Sequence, residues 1–141
     1  MMQRQTAFII PSAEGWKPLL DLIPEIEQVE TFQELIEPSR IDENGHIRLP
    51  VYRTNKVVEQ FHRLVYEIGI VLNFDWVSWD EGRKIVSDSD FDFDSIDILT
   101  KCKIITAVVR SERFRDGALA EAFQSGLILK LLKSIERQVL L

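Results

Sequence analysis

The chain has little of what builds special chemistry. Its 141 residues include one cysteine, Cys102, and two histidines, His46 and His62. A lone cysteine excludes an internal disulfide, and neither histidine has a partner at zinc-ligand spacing, so no metal site is expected. Glycine is scarce, with 6 residues, and no glycine-rich phosphate cradle, Gly-x-Ser-x-Gly elbow or His-Glu-x-x-His element is present. No cofactor is expected, no catalytic residue is assigned, and a non-enzyme reading is preferred. No apolar run approaches the ~18–20 residues that span a bilayer. Ala7–Ile10 is too short for a secretory core and lacks a small-residue cleavage site after it, which leaves a cytoplasmic setting as the expectation. Linkers, repeats and low-complexity tracts are missing too, so residues 1–141 read as a single domain.

What is present is a globular composition, 45% hydrophobic and 28% charged, in a chain long enough to bury a core. The net charge of −6 is unevenly spread. Pro11–Glu37 and Asp80–Asp97 are acidic, whereas Lys101–Arg137 is rich in lysine and arginine. Oppositely charged helices lying side by side would explain this, and so would a basic surface for an anionic partner.

Apolar spacing predicts an all-α domain of five to six helices, with a short β-hairpin or plain loop near Ile41–Leu49. Ser12 caps a first helix that Pro24 stops or kinks. Ile26, Val29, Phe32 and Ile36 predict a second helix over Glu25–Ile36, ended by Pro38. Asn44-Gly45 is the pair favoured in tight primed turns. Asn55 caps a long helix from Val58 to Leu72, and Asn73 or Asp75 starts another that places Trp76, Trp79, Gly82 and Arg83 on one face. Asp94 or Ser95 caps the helix of Leu99 and Thr106, and Asp116 caps a closing helix with Gly126 in its middle.

Three segments invite chemistry. Asp88, Asp90, Asp92 and Asp94 alternate like the start of a calcium loop, but the required glycine and glutamate are missing in either register. Ala122 and Gly126 have helix-turn-helix spacing, yet the helix that follows is too apolar to lie in a DNA groove. Thr106–Gly117 packs Arg110, Arg113 and Arg115 against Glu112 and Asp116. It reads either as an ion-paired corner closing helix ends or as an anion- or carboxylate-binding site.

Three ordered motifs carry a family resemblance: Phe74-Asp75-Trp76-x-x-Trp79-x-Glu81-Gly82-Arg83, Thr106-Ala-x-x-Arg110-x-x-Arg113-Phe114-x-x-Gly117-x-Leu119-Ala120, and Phe123-x-Ser125-Gly126. Over Val65–Leu132 the chain resembles a bacterial family catalogued only as domain of unknown function 6508. The family's pattern often has aspartate where Glu112 stands, which keeps the charge. The resemblance implies a small helical prokaryotic or phage protein and carries no activity.

Trp76, Trp79, Glu81, Arg83, Arg110, Glu112, Arg113 and Asp116 are the candidate ligand- or partner-binding residues. Aromatic planes beside guanidinium groups suit a flat ligand, a nucleotide base, or cation–π packing within the fold. The expected function is a protein-interaction or regulatory module, acting through this corner or through an acidic Asp21–Glu37 helix. The partner is then a protein or a second copy, the latter through the apolar tail Ile135–Leu141. The alternative is a nucleic-acid or anionic-ligand binder using Arg110, Arg113, Arg115 and the C-terminal lysines. No membrane partner is expected.

Overall fold

In the computed structural model, residues 8–140 are described. Met1–Ala7, which hold the start of the stretch read for a leader, and the tail's last residue Leu141 lie outside the described residues. The described chain is mostly helical, with seven α-helices and one β arm.

Helix α1 (Ala13–Leu20) starts where expected, the Ser12 hydroxyl accepting from the Gly15 amide at 3.1 Å. A turn at Asp21 and Leu22 leads into α2 (Ile23–Gln28), with Pro24 tolerated in its first turn. The predicted helix over Glu25–Ile36 ends there. Val29 is extended, and Gln33–Glu37 is strand β1, paired antiparallel with β4 (Val51–Thr54). Between them β2 (Arg40–Ile41) and β3 (Ile47–Arg48) pair as a hairpin. The expected hairpin is therefore real and longer, a ribbon from Gln33 to Thr54 interrupted by Pro38 and Pro50. At its tip only Gly45 has positive φ, +77°, so Asn44 is not left-handed as a primed turn requires. Instead the Asp42 carboxylate accepts from the Asn44 and His46 amides, each at 2.9 Å.

Helix α3 (Lys56–Glu67) is capped by Asn55, whose side-chain oxygen accepts from the Val57 amide at 2.9 Å. It stops near Gly69 (φ +80°) rather than continuing to Leu72. α4 (Asp80–Ser87) and a 3-10 turn (Phe93–Ser95) precede α5 (Ile98–Ser111), α6 (Ala118–Gln124) and α7 (Leu127–Val139). Asp97 caps α5, not Asp94 or Ser95, because Asp94 is engaged elsewhere: it accepts from Ser134 Oγ at 2.6 Å and pairs with Arg137 at 3.0 Å. Gly126 adopts φ +87° and divides the predicted closing helix into α6 and α7.

The apolar stripes meet around α7, which packs against α1, α2, α5, α6 and the 3-10 turn. Ile128, Leu131, Leu132 and Ile135 of α7 are fully buried with Trp16, Phe61, Ile104 and Ile105. Burial of the start of α7 removes the helix-turn-helix reading, since a recognition helix must stand proud of the body. The tail is also less exposed than its sequence suggested. Ile135 is buried and Val139 packs on the core, leaving Leu140 open.

Part of the charge asymmetry is met by contacts within the fold: Lys133 of α7 reaches Glu27 at 3.4 Å, Arg137 pairs with Asp94, and Lys130 donates to the Ser89 carbonyl at 3.1 Å. The Ser134 hydrogen bond and the Arg137 pair hold the Asp94 carboxyl below its ordinary value. A lowered folded value means a contribution present above the unfolded value of about 3.9 and lost as pH falls through the folded one. Asp94→Asn is accordingly expected to be less stable than the native chain near neutral pH. The gap should close on acidification below pH about 4, in thermal melts taken across pH 2–7.

Candidate functional site

The sequence-predicted residues do not form one group: Arg110, Glu112, Arg113 and Asp116 lie at the turn between α5 and α6, with Trp76 reaching it through Phe114, whereas Trp79, Glu81 and Arg83 stay at the start of α4. Residues 73–79 form a loop and α4 begins only at Asp80, so Trp76 and Trp79 point to different neighbours. Trp76 lies against Phe114, ring centroids 5.9 Å apart, and Phe114 is 79% exposed. Trp79 folds back over Gly82 and meets Phe74 edge-on at 5.6 Å, with the Lys103 ammonium 5.9 Å from its ring.

The α5–α6 turn is shaped by Glu112. Its carboxylate accepts from the amides of Gly117 (2.7 Å) and Leu119 (3.1 Å), at the positive end of α6. That is the capping task expected of Asp116, which instead is exposed. The reason is Gly117, whose φ of +91° turns the chain so that the acid five residues back faces the helix amides. Arg115 pairs with Glu121 at 2.6 Å. Arg83 turns back to the Val77 carbonyl and lies 3.7 Å from Asp80, so it does not join the other arginines. Among the described residues, Glu81, Arg110 and Arg113 form no ion pair, and Arg110 and Arg113 do not bond helix-end carbonyls. The backbone closes α5 unaided, Phe114 and Arg115 amides each donating to the Ser111 carbonyl at 3.0 Å.

The second feature is the β arm, whose strand β1 takes the place of the later part of the expected acidic Asp21–Glu37 helix. Its roots are fixed to the body. The Gln124 side chain accepts from the Phe32 amide at 3.1 Å and donates to the Glu30 carbonyl at 2.9 Å, while the Asn55 amide donates to the Phe32 carbonyl at 2.7 Å. Phe32 packs on Phe123, and Phe61 meets Phe123 edge-on.

Beyond the roots the arm is open to solvent. Ile41 and Ile47 face each other across the hairpin and are each 73% exposed; Leu49 is 78% exposed. Strand alternation puts Ile47, Leu49, Val51 and Arg53 on one face, with Glu37 opposite Val51 and Glu34 opposite Arg53. That face runs into an open notch of about 630 Å³ lined by Thr31, Glu34, Arg53, Asn55, Lys56 and Glu59. The other face carries Leu35 opposite Tyr52 and looks toward a smaller cleft of about 320 Å³ beside Asp116 and α6. The sequence did offer a signal for the arm: apolar residues at alternate positions 47, 49 and 51, next to Asn-Gly.

Burial pushes the Cys102 thiol up to about 12, so it carries no useful thiolate at neutral pH. Among the described residues no three His, Cys, Asp or Glu side chains are grouped to hold a metal, and no helix is long and apolar enough to cross a membrane.

The architecture is that of a helical body bearing one exposed, two-tiered β ribbon. The chain belongs to a family of unknown function (DUF6508), which it matches over residues 11–140. The match extends well beyond the Val65–Leu132 segment in which the motifs lie, and takes in the arm and α1. No curated protein and no solved structure matches the chain.

Proposed function

We propose that the protein is an interaction or regulatory module whose docking surface is the apolar face of the β arm. The observation that carries this reading is the exposure of Ile41, Ile47, Leu49 and Val51 together on a ribbon that the body does not cover. Scattered exposed aliphatics need no explanation, but a contiguous set on an uncovered sheet face marks a contact surface. A two-stranded ribbon is only marginally stable in water, and a partner supplies the missing cover. The buried, inert Cys102 suits a reducing cytoplasm.

A photo-crosslinking residue placed at Leu49 in cells making the full chain tests this. Position 49 is expected to give a discrete protein adduct, and the exposed position Glu14 on α1 none. No adduct at 49, or an adduct to nucleic acid alone, would overturn the reading.

One observation favours a second reading, an anionic-ligand or nucleic-acid binder at the α5–α6 turn: Arg110 and Arg113, without ion-pair partners among the described residues, precede the exposed Phe114 in the same turn. Against it, Lys130, Lys133, Arg115 and Arg137 already have partners within the fold. Oligonucleotide binding that weakens steeply with salt and is lost on Arg113→Ala would favour this reading.

A further inference from the structure

The two tiers of the arm share one strand register, and the break between them falls at two prolines. Glu37 pairs with Val51 and Arg40 with Arg48, so two residues lie between these pairs on each strand. Pro38 is therefore placed opposite Pro50, and Ser39 opposite Leu49. We infer that this proline pair is a hinge, about which the outer tier of β2 and β3 swings as a unit on the inner tier of β1 and β4.

The prolines remove a particular pair of hydrogen bonds. In an antiparallel pair, sites at which two residues exchange both amide bonds alternate with sites at which they exchange none. The Asp42 amide donates to the His46 carbonyl at 2.9 Å, which marks Asp42 with His46 as a bonded site. Alternation then places the next bonded sites at Arg40 with Arg48 and at Pro38 with Pro50. Proline has no amide hydrogen, so both bonds of the last site are missing. Packing does not replace them, since Pro38, Ser39 and Leu49 are exposed.

The ordinary task of a strand proline does not account for this pair. An edge proline guards against strand addition by turning its missing donor outward, to the side a further strand would use. Pro38 and Pro50 turn theirs toward each other. They guard neither edge, and they cost the ribbon its ladder at one level.

The parts on either side of that level are each braced. At the tip, the Asp42 carboxylate accepts from the Asn44 and His46 amides and from Arg48 Nε at 3.2 Å. Ser39 Oγ donates to the Arg48 carbonyl at 3.1 Å, which ties residue 39 to the outer tier. The inner tier is tied to the body through Phe32, Gln124 and Asn55. Two braced units thus meet at a level where neither strand has a donor to give. The hinge goes beyond the docking reading and holds whether or not the arm binds a partner. It puts Ile41 and Ile47 on a part whose angle to Val51 is free to change.

Distances between spin labels on the full chain test the hinge. One pair joins the tip to the body, at Glu43→Cys and Glu59→Cys, and a control pair joins the inner tier to the body, at Glu37→Cys and Glu59→Cys. All three positions are exposed, whereas the native Cys102 is buried away from the label. The tip pair is expected to give a broad distribution of distances and the control pair a narrow one. Pro38→Val together with Pro50→Val supplies both missing donors, and the breadth of the tip pair should then be lost. A narrow tip distribution in the chain that keeps both prolines would overturn the hinge. So would a control pair as broad as the tip pair, which places the motion at the root, or a tip pair that stays broad in the doubly substituted chain.

Discussion

Phe61→Ala is expected to destabilise the protein by about 3–5 kcal/mol, among the largest effects available from one side chain. Phe61 is fully buried on α3 and meets Phe123 of α6 edge-on, ring centroids 5.2 Å apart. Phe123 in turn packs on Phe32, 5.3 Å away, at the root of the arm. Truncation removes the transfer free energy of the ring, and α3, α6 and the arm root cannot all close on the cavity left behind. For a domain of this size, a loss of that order lowers Tm by about 10–15 °C. Calorimetry checks the magnitude. A fall of only a few degrees would mean that the three aromatic rings do not couple the arm root to the body.

Gly82→Ala is expected to destabilise as well, against the usual rule that alanine improves a helix by about 1 kcal/mol. A Cβ at this position would lie 2.2 Å from Cε3 and 2.5 Å from Cζ3 of Trp79. No such contact is tolerable, so the indole must swing off α4. It then loses the edge-on contact with Phe74 and the nearby Lys103 ammonium. Overpacking of this kind costs about 1–3 kcal/mol, which outweighs the gain in helix propensity. The expected result is a lower Tm together with red-shifted tryptophan emission, as a half-buried ring becomes exposed. A raised Tm would show that Trp79 does not depend on the missing Cβ.

Those two sites also show where sequence reasoning held and where it gave way. The stripes of α3, α5 and α7 were legible because their apolar residues recur strictly at three- and four-residue intervals. Ser12 and Asn55 were legible as caps because a cap acts on amides two or three residues away. What was hidden depended on contacts distant in the chain. Ile26, Val29, Phe32 and Ile36 have helical spacing, yet Gln124 holds the Phe32 amide and Glu30 carbonyl from across the fold and the chain there is extended. Asp94 looked like a cap until Ser134 and Arg137, forty and more residues on, took its carboxylate.

Around the α5–α6 turn and α4 the motif residues were legible in the sequence, but not the contacts they make. The spacing of Trp76 and Trp79 suggested one face, whereas the loop before Asp80 sends Trp76 to Phe114 and Trp79 to Gly82. Glu112 does the capping expected of Asp116 because Gly117 reverses the chain between them, a geometry that no residue count reveals. The arm's apolar face was visible as an alternating run. Its isolation from the body was not, because exposure is a property of the whole fold.

The central claim is that the helical body folds by itself and the arm is there to bind. Replacing residues 35–52 by Asn-Gly joins Glu34 to Arg53, which are already paired in register, through a two-residue turn. Thermal unfolding of this shortened chain and of the native chain, each at two concentrations a hundredfold apart, tests the claim directly. The shortened chain is predicted to unfold cooperatively, at a single concentration-independent Tm. A shortened chain that fails to fold, or that unfolds without a cooperative transition, would contradict the account.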